Sequence, residues 1–376
     1  MSTTVPSEYI YGLGQGERRV SFKRNFNYGK TALYNRQGAD SYHPFFMAVA
    51  PESGVFHGVF WDNPYPLEVQ FSPVPAVAFR AMGGSAVFHV FSGPTPADVS
   101  RQFTRDIVGP ASMPPFWALG LHLCRESDDP AVFVNTTQQM LDDKIGFDSD
   151  CIDQRLSGPG AGTFDRDGFP QAEEHRDWLR DAGKKFVLAQ PPHVLNETAH
   201  LLFPENQWIF RDKSMQEYEP GKRYGSDVCY PSYPSTSPLI WDAMLQPEGY
   251  NLLDNWPSNE GNPNCPGGLR SFTPSNIRSG ISNNTVCLDA YHQGSGLEHL
   301  AVHNHYGVQQ LEYYLQQNEG NRFLYLNRAA ALGNLGRAGY PGDDYSASWS
   351  SMKYALVQVF FTISSNQSDG LHLSFA

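Results

Sequence analysis

Short apolar runs, cut by Gly, Pro and Ser, dominate the first hundred residues. Tyr42–Ala50, Gly54–Trp61 and Ala86–Phe91 cluster aromatic and β-branched side chains between turn residues, which predicts antiparallel strands. This strand-like pattern runs from Tyr9 to about Val108, where Gly109-Pro-Ala-Ser-Met-Pro-Pro115 interrupts it as a proline-rich linker. The pattern then changes. Strand-like segments at Ala118–Leu123, Phe147–Cys151, Lys185–Ala189, Tyr250–Asp254 and Phe323–Leu326 alternate with amphipathic helical segments at Ala131–Lys144, Pro170–Ala182, Pro238–Leu245 and His305–Gln317. Such alternation predicts a parallel sheet with ligands at the C-terminal ends of its strands. Two domains are expected, residues 1–110 and residues 111–376.

Composition narrows the class without fixing the chemistry. With 376 residues, 40% of them hydrophobic and 18% charged, the chain can bury a sizeable core and is neither disordered nor membrane-like. The 24 Phe and 19 Tyr, with 34 Gly and 28 Pro, fit many short strands joined by tight turns. A net charge of −12 repels a polyanion over most of the surface, so a nucleic-acid partner is not expected. The longest apolar stretch, Tyr354–Ile363, is too short to span a bilayer as a helix, and Met1–Ser7 lacks the basic start and apolar core of a secretion signal. Glycosylation sequons occur at Asn135, Asn196, Asn283 and Asn366, in a pattern that chance also produces. Cys124, Cys151, Cys229, Cys265 and Cys287 contain no Cys-x-x-Cys pair, and an odd count leaves at least one free thiol.

Several residues are placed where chemistry is done. Asp254 ends the apolar run Tyr250-Asn-Leu-Leu, so it would project from the top of a strand, either as a catalytic carboxylate or as a helix cap or turn residue. Asp343 and Asp344 lie in a Gly-flanked loop before Tyr345, where an apolar wall can raise the pKa of one acid enough for proton donation; solvated turn acids are the alternative. His299, His303 and His305 fall at helical spacing, but Glu298 completes no metal-chelating pattern, so no metal is expected. Tyr11-Gly-Leu-Gly-Gln-Gly16 lacks the spacing and following helix of a phosphate loop.

Along nearly its whole length the sequence resembles glycoside hydrolase family 31, the α-glucosidase family. Tyr9-Ile-Tyr-Gly-Leu-Gly14 is similar to the family's Tyr-Gly-Leu-Gly-Glu, with Gln15 in place of Glu. Ser112-Met-Pro-Pro-Phe-Trp-Ala-Leu-Gly-Leu-His-Leu-Cys-Arg125 resembles the entry into the catalytic barrel and is the most specific match. Thr163–Pro170, Thr285–Ala290, Val302–Gly307, Leu326-Asn-Arg328 and Gly339-Tyr-Pro-Gly-Asp-Asp344 with Ser348-Trp349 follow in the family's order.

The resemblance implies a (β/α)8-type TIM barrel, incomplete at its C-terminal end, preceded by the remnant of an antiparallel β-sandwich. Asp343 matches the family's acid/base and Arg328 its sugar-contacting Arg, while Asp254 is the candidate nucleophile. Asp153, Trp256 and Asp369 complete the expected substrate contacts, and Cys265 is expected to pair with Cys287. The pocket departs from the family more than the scaffold does: Leu252-Leu-Asp-Asn-Trp-Pro-Ser-Asn259 is one residue short and lacks a Glu, and Gln190 replaces an acid at the third strand. Two functions follow. One is retaining hydrolysis of terminal α-glucosidic bonds in maltose-like oligosaccharides, without a cofactor; the other is a catalytically inactive paralogue that binds carbohydrate or protein. A partner chain is expected over the open barrel edge, and the family's location would be secreted or lysosomal.

Overall fold

The computed structural model describes residues 1–5, 7, 9–14, 23–35, 43–125, 127, 129–153, 156, 167–197, 199, 209–210, 221–223, 226–232, 246–253, 281, 284–328, 336–339, 348–349 and 352–353. Its N-terminal part is antiparallel β. Strands β1 (Ser2–Thr4), β4 (Lys30–Leu33), β7 (Leu67–Ser72) and β8 (Ala76–Ala81) form one sheet; β2 (Ile10–Gly12), β3 (Lys23–Arg24), β5 (Phe45–Val49), β6 (Phe56–Asp62) and β9 (Val87–Gly93) form another. Period-two alternation decides how they pack. Ile10, Phe46, Ala48 and Trp61 on the second sheet share a core with Leu33, Val69, Phe71, Val77 and Phe79 on the first, so the sheets lie face to face.

The opposite face of the second sheet is also apolar, and a helix covers it. Helix α1 (Pro96–Phe103) sets Val99 and Phe103 against Phe60 and Phe91, residues four apart on one helical face. Thr95 and Asp98 cap one another's backbone at its start, with Pro96 in the first turn. Strand-like sequence up to Val108 therefore gives way to helix after Thr95. A second correction concerns Ala118–Leu123: Phe116–Leu119 is a 3-10 turn, and the strand is confined to His122–Cys124. Asp148 accepts a hydrogen bond from the Leu121 amide at 2.9 Å, and its carboxylate lies where a Cβ on Gly120 would collide with it.

Five parallel strands follow in the sheet order β10 (His122–Cys124), β11 (Ser149–Ile152), β12 (Lys185–Gln190), β17 (Gly249–Leu252) and β20 (Leu324–Asn327). Between β10 and β11 runs α2 (Pro130–Asp142), started by the Asp129 cap, and between β11 and β12 runs α3 (Ala172–Asp181). Longer connections carry two small antiparallel sheets: β13 (Val194–Leu195), β15 (Gly221–Arg223) and β16 (Ser226–Cys229) in one, and β14 (Ile209–Phe210), β18 (Tyr291–His292) and β19 (Leu297–Glu298) in the other. Helices α4 (His299–Val302) and α5 (Tyr306–Gln317) then lead to β20. The expected strands and helices are thus present within a few residues, except that Pro238–Leu245 lies outside the described residues. Among the described residues no helix is long and apolar enough to cross a membrane.

A chain of three buried imidazoles joins the two parts. Asn35, just past β4, offers its carbonyl to His303 Nε2 at 2.7 Å and its amide to Asn304 Oδ1 at 3.1 Å, while Asn304 Nδ2 donates to the carbonyls of Leu33 and Tyr65. Since a carbonyl only accepts, His303 carries its proton on Nε2 and accepts on Nδ1 from His299 Nε2 at 3.0 Å; His299 Nδ1 in turn accepts from His292 Nε2 at 3.0 Å. One set of neutral tautomers satisfies the chain. Both nitrogens of His299 are committed to imidazoles; His305 is exposed.

Candidate active site

The parallel sheet has two chemically different faces. Ile152, Phe186, Leu188, Tyr250, Leu252 and Tyr325 point to the helices and pack with Phe133, Leu179, Leu311 and Tyr314. Cys151, Val187, Leu324 and Leu326 point the other way and pack with Ala118. This second face is the inner one, toward which a barrel curls. In register, Cys151, Val187, Gly249 and Leu324 form one inner layer, and Ala189, Asn251 and Leu326 the next toward the strands' C-terminal ends.

Two expected sugar contacts sit at those ends. Asp153, half-buried, follows β11 with the parity of Cys151; Arg328, also half-buried, follows β20 with the parity of Leu326, its amide donating to the Leu252 carbonyl at 3.3 Å. Leu252 and Leu253 hold the strand end before Asp254, with the Leu253 amide on the Gln190 carbonyl at 3.1 Å. Beyond β20 the sheet continues at Gly339, which bridges Leu326 in parallel and leads to Asp343. Asp254, Trp256, Asp343 and Asp369 themselves lie outside the described residues. Gln190 serves the scaffold: its Nε2 donates to the Ala189 carbonyl at 3.1 Å, and its Oε1 accepts from the Tyr314 hydroxyl at 3.4 Å on the helical side.

Cysteine chemistry differs from expectation at one point. Cys124 and Cys151, register partners on adjacent strands, form a disulfide with Cα atoms 4.7 Å apart, beside the site. The sequence signal was there: each ends a segment read as a consecutive parallel strand, or lies next to its end, and such ends are neighbours. Cys287 is buried and disulfide-bonded, but its expected partner Cys265 lies outside the described residues. Cys229 is the free thiol among the described residues; burial pushes its pKa up to about 12, and it donates to Asn196 Oδ1 at 3.0 Å. Asn196 is thus half-buried, whereas Asn135 is exposed on α2; Asn283 and Asn366 lie outside the described residues. Removing the Cys124–Cys151 link by double substitution to Ala is expected to lower stability by about 3 kcal/mol, because it releases a crosslink across a separation of 27 residues. Urea unfolding of the double variant and the parent should show this loss.

Behind the site, an ion pair spans strand and helix layers. Arg125 Nη2 lies 2.8 Å from both oxygens of Asp150, whose side chain is 1% exposed. Thr137 of α2 donates to the same carboxylate at 2.6 Å, His175 of α3 stands 3.5 Å away, and the guanidinium lies over the Phe133 ring. Sequence reading did not find this node. Its only trace is Asp150 inside the strand segment Phe147–Cys151, with Arg125 two residues past the segment Ala118–Leu123.

Residues 111–364 match the glycosyl hydrolases family 31 TIM-barrel domain. The chain belongs to glycoside hydrolase family 31. It is 28% identical to intestinal sucrase-isomaltase of Suncus murinus, with 96% of this chain and 24% of that protein covered. Against lysosomal alpha-glucosidase of Rattus norvegicus the identity is 26%, covering 96% and 40%. The chain therefore spans about a quarter to two-fifths of the curated relatives it matches. A family 31 alpha-glucosidase from Bacteroides thetaiotaomicron has the same fold, with a TM-score of 0.74 at 19% identity over 99% of this chain and 61% of that one. The (β/α)-barrel type of this family 31 chain agrees with its five-stranded parallel sheet and flanking helices.

Proposed function

We propose that this family 31 chain hydrolyses terminal α-glucosidic bonds of maltose-like oligosaccharides with retention. Residues 1–110 are read as the remnant of the family's N-terminal sandwich and 111–376 as its barrel. Asp254 attacks the anomeric carbon, Asp343 protonates the leaving oxygen and then activates water, and Arg328, Asp153, Trp256 and Asp369 hold the sugar. A retaining reaction needs the two carboxyl groups about 5–5.5 Å apart. The observation that carries the reading is that Asp153, Leu253 and Arg328 follow the C-terminal ends of three parallel strands of one sheet, Arg328 within a matched motif. A further strand, from this chain or a partner, is expected along the outer edge of β10, which ends the described sheet. The disulfide, and relatives described as intestinal and lysosomal, support an oxidising secretory or lysosomal location.

The second reading, an inactive sugar-binding or protein-binding paralogue, is favoured by one observation. Gln190 stands where the family has an acid, and its side chain bonds to Tyr314 on the helical side. One assay decides between them. Purified protein should release glucose from maltose or a chromogenic α-glucoside, and Asp343→Ala should abolish release. Maltose binding without hydrolysis would establish the second reading for carbohydrate; neither binding nor release would discard both carbohydrate functions.

A further inference from the structure

The inner face of the sheet holds a polar group that the expected site does not use. Asn251, in the middle of β17, is 5% exposed, and among the described residues none donates to its Oδ1. Its register partners on either side, Ala189 and Leu326, offer only apolar side chains and are each 1% exposed. An amide oxygen withdrawn from solvent without a donor is uncommon in a folded protein, and asks for one.

The donor cannot come from below. In the inner layer beneath, Gly249 sits so close to its neighbours that a Cβ would lie 2.8 Å from the Leu324 carbonyl oxygen, 2.9 Å from Leu324 Cβ and 3.3 Å from Val187 Cγ2. That layer also contains the Cys124–Cys151 disulfide. On the helical side the neighbouring positions of the strand are Tyr250 and Leu252, both packed in the main core. The remaining direction along the sheet is upward, toward the C-terminal ends of the strands, where Asp153 and Arg328 emerge. Ligands of parallel sheets approach from that side.

We infer that Asn251 is a specificity-determining residue at the floor of the pocket, its Oδ1 accepting a hydrogen bond from a hydroxyl of the bound sugar. This rests on the carbohydrate reading above and adds to it. A site built to accept from a hydroxyl discriminates strongly against ligands that cannot supply one, because the buried acceptor is then left unpaired. An apolar side chain of the same size would remove that demand and the recognition with it.

The test compares maltose binding by calorimetry for the unsubstituted protein, Asn251→Leu and Asn251→Thr, with thermal melting of all three. Asn251→Leu should melt at the same temperature or higher, since it removes a buried unpaired oxygen, yet bind maltose at least 10-fold more weakly. Asn251→Thr, which restores an acceptor oxygen, should bind more tightly than Asn251→Leu. Binding by the Leu variant within twofold of the unsubstituted protein would overturn the proposal while leaving the carbohydrate reading intact. A Leu variant that does not fold would also overturn it, by assigning the carboxamide to the scaffold. No maltose binding by the unsubstituted protein would end the carbohydrate reading and this proposal together.

Discussion

Arg125→Leu is expected to destabilise the protein by roughly 3–5 kcal/mol, because it leaves a buried carboxylate without its cation. Asp150 is enclosed by β11, α2 and α3, with Thr137 as its remaining close donor and His175 at 3.5 Å. The leucine keeps much of the apolar contact that the arginine stem and ring face make with Phe133, so the loss reports charge more than packing. Arg125→Leu combined with Asp150→Leu should recover most of it, since an apolar pair of similar volume asks for no compensation. Urea unfolding of the two single variants and the double variant gives the coupling directly. A single Arg125→Leu variant within 1 kcal/mol of the parent would show that the pair has no such role.

Acidification should loosen the same molecule from the other end. Burial lowers the pKa of His43 and His303 from 6.5 to about 4 and that of His292 to about 3, and holds His299 well below its ordinary value; the neighbouring imidazoles add to the shift at His292 and His299. The native state therefore excludes protons that the unfolded chain takes up below pH 6.5. The stability contributed by these neutral rings is fully present above about pH 6.5 and is lost as pH falls through the range from 6.5 to about 4 and then 3. His43 and His303 each contribute on the order of 3 kcal/mol to that loss. Geometry sharpens the effect. Protonating any ring of the His292, His299, His303 series other than at His292 Nδ1 puts two N–H groups face to face, which breaks the hydrogen bonds leading to Asn35. Melting curves between pH 7 and pH 4 should show a steep fall in Tm, and proteolysis should open first between the N-terminal sheets and the barrel. His303→Gln, which can still donate to the Asn35 carbonyl, should flatten the dependence; an unchanged slope in that variant would remove the imidazole chain from the explanation.

Much of the scaffold was legible because local rules sufficed. Short apolar and aromatic runs between turn residues marked the sheet strands β5, β6 and β9, and helical periodicity marked α2, α3 and α5. Helix α1 was missed because Thr95–Asp98 acts over four residues, against a long aromatic background that reads as strand. Asp153 and Arg328 were named through the resemblance to family 31 alone; the structure sets each one residue past the end of a parallel strand.

What sequence could not state is who meets whom across the sheet. Cys124 and Cys151 are 27 residues apart, and Asn35 and His303 are 268 apart; no periodicity connects them. Whether Asp150 is a solvated acid or the buried partner of Arg125 depends on α2 and α3 closing over it, and whether Asn251 lacks a donor depends on Ala189 and Leu326 being its neighbours. Sequence alone determined the order and type of the parallel strands and of α2, α3 and α5, which follow from propensity and pattern within a few residues. Tertiary structure alone decided the hydrogen-bonding fate of each buried polar group, because that depends on desolvation and on partners brought together only when the strands align.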